Sequence, residues 1–401
     1  MFQRILTVMV VASLPVAAAA EQVRLLPPAS DDFQGSVRTT QMAQVSERPE
    51  GPRGEAASIF MPASDGKIHS GGLQAPEGES RSYRLEVSAA RLADGVSLPL
   101  SAAGAVVRLS PVGSSGARQL QGRDVEIRQG PWALQGRAAA RELAGAEHQQ
   151  AAREVFGPDT LAFRLDRRIA AGEATLQVRR EALMRGGRYQ VHVFEPESPA
   201  VGVISASQPL VSLGESLSAE AGVAGLRNLK VESVEAWLHS PSGERMRVDD
   251  LSTVTLPRLS AVEPGLWELE GRIQARGPDG PVRRDVRVAF EGVPPTARLD
   301  GRIALERERG EWRLRLGVEV GTAGRYELRA SLPGAGTAHA ARWLEPGAHE
   351  LVLSFPGEPP RDAVLRDLRL VDQSRMAMLH VQDQGIQIGG WTPILPGMPL
   401  R

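Results

Sequence analysis

Apolar and polar residues alternate with a period of two along most of this sequence. That alternation restricts the chain to half-buried β-strands. From Ser82, residues Tyr83, Leu85 and Val87 fall on one face, with Arg84 and Glu86 on the other. The pattern returns in Ala105-Val107-Leu109, Val125-Ile127, Leu161-Phe163-Leu165, Leu176-Val178 and Tyr189-Val191-Val193. Turn pairs such as Asp94-Gly95, Gly113-Ser114 and Ala171-Gly172 separate these runs. One segment breaks the rule. Arg137 to Val155 is rich in Ala, Glu, Gln and Arg, which predicts a short helical insertion over 137–155 closed by Gly157-Pro158. Residues 81–205 thus read as one β-sandwich with a helical insertion.

A second unit spans 208–292. Val234, Ala236 and Leu238 alternate with Glu235, Trp237 and His239, and the turn Ser240-Pro241-Ser242-Gly243 follows. Trp267, Leu269 and Ile273 then lead through Pro278-Asp279-Gly280 into Val286, Val288 and Phe290, an antiparallel hairpin with one wet and one dry face. After the stiff Val293-Pro294-Pro295, a third unit over 297–385 has its clearest strand at Trp312 to Val320. In that strand Leu314 belongs to the dry face and Arg313 to the wet one. Residues 386–401 read as a tail. Residues 21–80 read as a poorly packed Pro/Gly-rich leader, which Ile59-Phe60-Met61 could pin to the first domain. The fold class is mainly β: tandem antiparallel β-sandwich domains, immunoglobulin-like, with one short helical insertion.

The first twenty residues point to a compartment. A basic start (Met1-Phe2-Gln3-Arg4), an apolar run from Ile5 to Val16 and Ala17-Ala18-Ala19-Ala20 match a signal peptide over 1–20. The run is too short to span a bilayer, which takes about 20 apolar residues. The expected product is exported, periplasmic or extracellular, with no membrane span once the signal is removed. The absence of cysteine removes disulfides, thiolate nucleophiles, iron–sulfur clusters and Cys-ligated zinc. A net charge of −1 gives no basic field for nucleic acid.

The blocks Val234-Glu235-Ala236-Trp237-Leu238, Gly265 to Leu269 and Arg284 to Phe290 resemble the immunoglobulin-like part of a family of secreted Gram-negative proteins classed as a domain of unknown function. Tyr189 to Ser198, Gly324 to Leu328 and Asp367 to Leu370 are similar in style. The resemblance implies export and a sandwich fold, and brings no active site with it.

Chemistry is sparse. There is no G-x-S-x-G elbow, no H-E-x-x-H, no P-loop and no EF-hand loop. The seven histidines show no pairing at ligand spacing. His192, beside Glu195 and Glu197, could serve as a general base, but one histidine without a nucleophile reads better as a solvated strand residue. Asp249-Asp250 offers too few oxygens for calcium. His239-Ser240 with Asp249 resembles a triad in composition, yet neighbours on a strand point apart. No catalytic residue, metal ligand or cofactor is assigned. Trp132, Trp343 and Trp391 lie beside Pro, Gly or loop residues, where a tryptophan either stacks on a ligand or plugs the end of a sandwich. The expected role is non-catalytic binding of a protein or cell-envelope polymer. A glycan-binding accessory protein using those tryptophans is the alternative, and a secreted hydrolase a third.

Overall fold

A computed structural model describes residues 23–35, 54–63, 73–113, 120–142, 160–258, 266–308, 310–358, 360 and 362–389. Strands dominate, arranged as three sandwiches in tandem, antiparallel except where Leu210–Ser212 runs parallel to Gly280–Val293. The signal peptide, most of the expected helical insertion and Trp391 lie outside the described residues.

The first sandwich sets a five-stranded sheet against a four-stranded one. The larger runs Ala140–Glu142, Leu161–Leu165, Val106–Pro111, Arg188–Phe194, Ser82–Ser88. The smaller runs Val96–Leu100, Gly172–Val178, Val125–Gln129, Trp132–Gln135. Tyr83, Val107, Ile127, Phe163, Leu176 and Val191 fill the space between them. These are the residues that every-other-position burial selects.

The described part of the expected helix is not helical. Gly136–Ala138 is a single 3-10 turn, and Ala140–Glu142 is a strand paired with Leu161–Leu165. Helix propensity there yields to the open edge of a sheet, which offers backbone partners. The α-helix among the described residues is instead Ala89–Asp94, which links the facing edges of the two sheets. Ser88 caps it by accepting from Arg91 N, and Gly95 ends it at φ 117°, a conformation that glycine adopts without strain. Six residues are too few to show a helical period.

The second sandwich builds on the expected hairpin, Leu266–Gly277 with Gly280–Val293. Lys230–His239, Arg245–Val248 and Leu210–Ser212 extend it to five strands. Opposite lies a three-stranded sheet of Ala219–Ala224, Val201–Ala206 and Glu77–Ser80. Two boundaries therefore move. Residues 201–205, expected in the first unit, pair inside the second, and so does Glu77–Ser80 from the leader.

The third sandwich packs Ala297–Glu308, Glu311–Val320 and Gly347–Pro356 against a seven-stranded sheet. Trp312 stacks on Phe355 with ring centroids 4.3 Å apart, at the centre of its core. The leader was expected to be poorly packed, yet it supplies three strands here. Val23–Leu25 and Phe33–Gln34 pair with Ala377–Ile388, and Ala57–Pro62 pairs with Gly336–Leu344. Phe60 meets Phe355 edge-on at 6.0 Å, so the apolar triplet pins the leader to the third domain rather than the first. Burial of Phe33 and Phe60 against this core stabilises segments too short to fold alone. The expected tail also starts later, because Ile386 and Ile388 are core residues of the last strand.

Candidate functional site

The first two sandwiches are joined by a buried polar knot. Arg284 is fully buried on the inward face of its strand, where Val282, Val286 and Val288 are apolar. It donates from Nη1 to Glu195 Oε2 at 2.8 Å and from Nη2 to Ser101 Oγ at 2.7 Å and Ser198 Oγ at 2.8 Å. Its Nε donates to the Ala200 carbonyl at 3.0 Å. Glu195 also accepts from Ser101 N at 2.6 Å, Ala102 N at 3.1 Å and Ser101 Oγ at 2.8 Å. The saturation of both charges with partners is what permits their burial. Gly202 makes room for the knot, since a Cβ there would sit 2.6 Å from Arg284 Cβ. A second tie crosses nearby, from Arg84 N to Asp285 Oδ2 at 2.8 Å. Burial raises the Asp285 carboxyl above its ordinary range, although Arg84 and Arg272 oppose that shift.

Beside the knot lies a cleft of about 560 Å³. One wall is Leu85 to Ser88 with Arg91, Val96 and Ser97 of the first sandwich. The other is the distal end of the second sandwich's hairpin, with Gln274, Arg276 and Arg283. Its three carboxylates are engaged. Glu86 pairs with Arg188, Glu232 accepts from Arg276 Nε at 2.8 Å, and Glu173 accepts from the Ser97 hydroxyl. Arg91 and Arg283 line the same space and make no ion pair among the described residues. The cleft thus presents two guanidinium groups that make no ion pair among the described residues, beside a junction tied by the buried Arg284–Glu195 pair.

The residues singled out in the sequence do not converge. Glu195 is locked to Arg284, so it does not form an acid–base set with His192. His192 is not a freely solvated residue either. Burial, with Arg84 and Arg108 across the neighbouring strands, pushes its imidazole down to about 4. Ser240 accepts from Glu244 N at 3.0 Å within its turn, and Asp249 pairs with Arg247 at 3.3 Å. His239 Nε2 lies 2.8 Å from Glu270 Oε2. The triad composition is therefore scattered into local structural contacts. Asp250 accepts from Ser252 N and Oγ, both at 2.8 Å, as an ordinary turn does. Among the described residues no group of three or more His, Asp or Glu could hold a metal ion.

The tryptophans divide. Trp132 is 45% exposed at the tip of the Val125–Gln129 and Trp132–Gln135 hairpin, with the Arg168 guanidinium 5.7 Å from its ring. Trp343 is half-buried in a strand, and its Nε1 donates to Glu345 Oε1 at 3.0 Å. They belong to different sandwiches and share no site.

Sequence reasoning missed Trp237. It lies on the polar face of the second sandwich between Arg245 at 4.0 Å and Arg272 at 4.7 Å from its ring. Glu270 lies directly across the ladder from Trp237. Burial pushes its carboxyl up, but Arg287, Arg272 and Arg245 outweigh this and hold it below the usual range. A tryptophan on the wet face of an alternating strand was the available signal. The cleft had none, because its walls lie nearly 200 residues apart and only the fold brings them together.

Comparison with known proteins agrees with this architecture. Residues 56–195 match the N-terminal domain, and residues 296–389 the C-terminal domain, of a domain of unknown function, DUF4785. No curated protein matches the chain. The crystal structure of a DUF4785 family protein from Legionella pneumophila superposes with a TM-score of 0.68 at 20% identity, covering 88% of this chain and 98% of that one. That likeness extends to the fold. Elastase-activated alpha-2-macroglobulin from Escherichia coli aligns over 83% of this chain and 33% of its own at 12% identity, with a TM-score of 0.14, too low to indicate a shared fold. With both terminal domains matched and the whole arrangement shared, the chain belongs to the DUF4785 family.

Proposed function

We propose that this protein is exported to the periplasm or beyond and acts there as a non-catalytic binding protein for a protein or cell-envelope partner. The observation that carries this reading is the cleft between the first two sandwiches. Glu86 and Glu232 are paired with arginines, Glu173 accepts from the Ser97 hydroxyl, and Arg91 and Arg283 make no ion pair among the described residues. Clefts between domains are common ligand sites, and here a buried ion pair holds the walls in register. His239, Ser240 and Glu195 are engaged in structural contacts with Glu270, the Glu244 backbone and Arg284.

Two measurements test the reading. Fractionation of cells expressing the full chain should place the mature protein outside the cytoplasm. Purified mature protein should then retain a specific partner from solubilised envelope. Material found only in the cytoplasm, or no retained partner, would sink it.

The exposed ring of Trp132 favours glycan binding as a second reading. Titration with a broad oligosaccharide panel should then quench tryptophan fluorescence, and Trp132→Ala should abolish the response. A silent panel removes this alternative.

A further inference from the structure

The cleft wall contributed by Ser82–Ser88 is an outermost strand, paired on one side only with Arg188–Phe194. Glu195 N donates to Arg81 O, and Ala89 N donates to Gly187 O. These bonds fix the ladder. Odd-numbered residues exchange hydrogen bonds with the neighbouring strand, and even-numbered ones turn their N–H and C=O outward. Of the outward N–H groups, that of Ser82 donates to Ser80 Oγ at 3.1 Å and that of Arg84 to Asp285 Oδ2 at 2.8 Å. The Glu86 N–H and C=O have no partner among the described residues, and Glu86 lines the cleft.

An open stretch of strand edge therefore faces the same space as Arg91 and Arg283, which make no ion pair among the described residues. Gln274, the ladder partner of Arg283, adds an exposed amide to the same wall. Edge backbone calls for another peptide backbone, and guanidinium groups call for carboxylates. No aromatic ring lines the cleft to stack on a sugar face.

We propose that the cleft takes an extended, acidic peptide segment, which adds as a short strand against Glu86 while its carboxylates engage Arg91 and Arg283. This rests on the binding reading above and names the chemistry of the partner. The exposed strand edge is the specificity element, because it selects an extended backbone. The two arginines then select its charge.

The test uses the full mature chain and fluorescence anisotropy. The probes are a labelled hexapeptide alternating Glu and Val, its Lys and Val counterpart, the Glu peptide N-methylated on alternate amides, and an oligogalacturonate of similar charge. The Glu peptide is expected to bind, and the Lys peptide is not. Arg91→Glu with Arg283→Glu should weaken binding by at least about tenfold, as should N-methylation, each removing interactions of a kcal/mol or more. Glu86→Pro, tolerated on an edge strand, should also weaken the peptide without lowering the melting temperature.

Equal binding of Lys and Glu peptides overturns the proposal, as does no binding of any probe. Galacturonate binding as tight as the peptide and indifferent to Glu86→Pro would make this an acidic-polysaccharide site and overturn it too. The two readings fail separately. An envelope partner retained equally by the wild type and the double arginine variant removes the cleft assignment and leaves the binding role standing. Peptide binding without any envelope partner does the reverse.

Discussion

Arg284 of the second sandwich donates to Glu195 at the end of the first across 2.8 Å, and neither side chain reaches solvent. Removing one member leaves the other charged, buried and uncompensated. Arg284→Met should cost about 3–5 kcal/mol in denaturant unfolding. The double variant Arg284→Met with Glu195→Leu should recover a substantial part of that loss, because no lone charge remains. A double variant less stable than the single would show that the pair itself, and not the orphaned charge, dominates.

Acid should weaken the fold through histidine. His380 is buried, and burial lowers its imidazole to about 4, although Gln382 and Asp32 pull the other way. The unfolded chain takes up a proton near pH 6.5 that the native state refuses until about 4. Stability is therefore complete above about pH 6.5 and falls as pH drops towards 4, by about 3 kcal/mol for this residue. His192 adds a smaller contribution of the same sign, since it is only half-buried. Guanidinium midpoints at pH 7.5 and 4.5 should differ less in His380→Gln than in the wild type. An unchanged difference would refute this.

Alternation in the third sandwich can be tested at neighbouring positions. Leu314 is fully buried, whereas Arg313 on the opposite face pairs with Glu308. Leu314→Asp would bury an unpaired carboxylate and should lower melting of this sandwich by more than about 10 °C. Arg313→Asp should shift it by only a few degrees, as surface changes do. Equal shifts would mean that the two faces are wrongly assigned.

The leader should behave as part of the third sandwich. Phe33→Ala should cost about 3 kcal/mol, since the ring is 6% exposed within that core. Hydrogen exchange should quicken in Ala377–Ile388, its strand partner, and not in the first sandwich. The exposed Phe194 is the control, and Phe194→Ala should leave exchange unchanged.

The strands were legible because burial on one face writes itself into every second residue, as Trp312, Leu314 and Leu316 show. The leader strands were not. Phe33–Gln34 and Val23–Leu25 are two and three residues long, below the length at which a period exists, and their partners lie some 350 residues away. Ala140–Glu142 misled because its composition favours helix while its neighbour in space supplies a sheet edge. Arg284 falls on an otherwise apolar face, and only the fold brings Glu195 to it. The cleft follows the same logic. Arg91 and Arg283 look like ordinary surface arginines until the knot sets them across one space.

Val23 pairs with Ile388, so the earliest described strand closes on the latest. Synthesis releases the amino end long before its partner exists. Val23–Leu25 must wait, unpaired, until the strand Ala377–Ile388 has emerged. The long loop to be closed makes that final zippering slow compared with folding of the two middle units. A chain interrupted late would hold two finished sandwiches and one with an unsealed, adhesive border. Arrival of the Ala377–Ile388 strand is thus what seals that border.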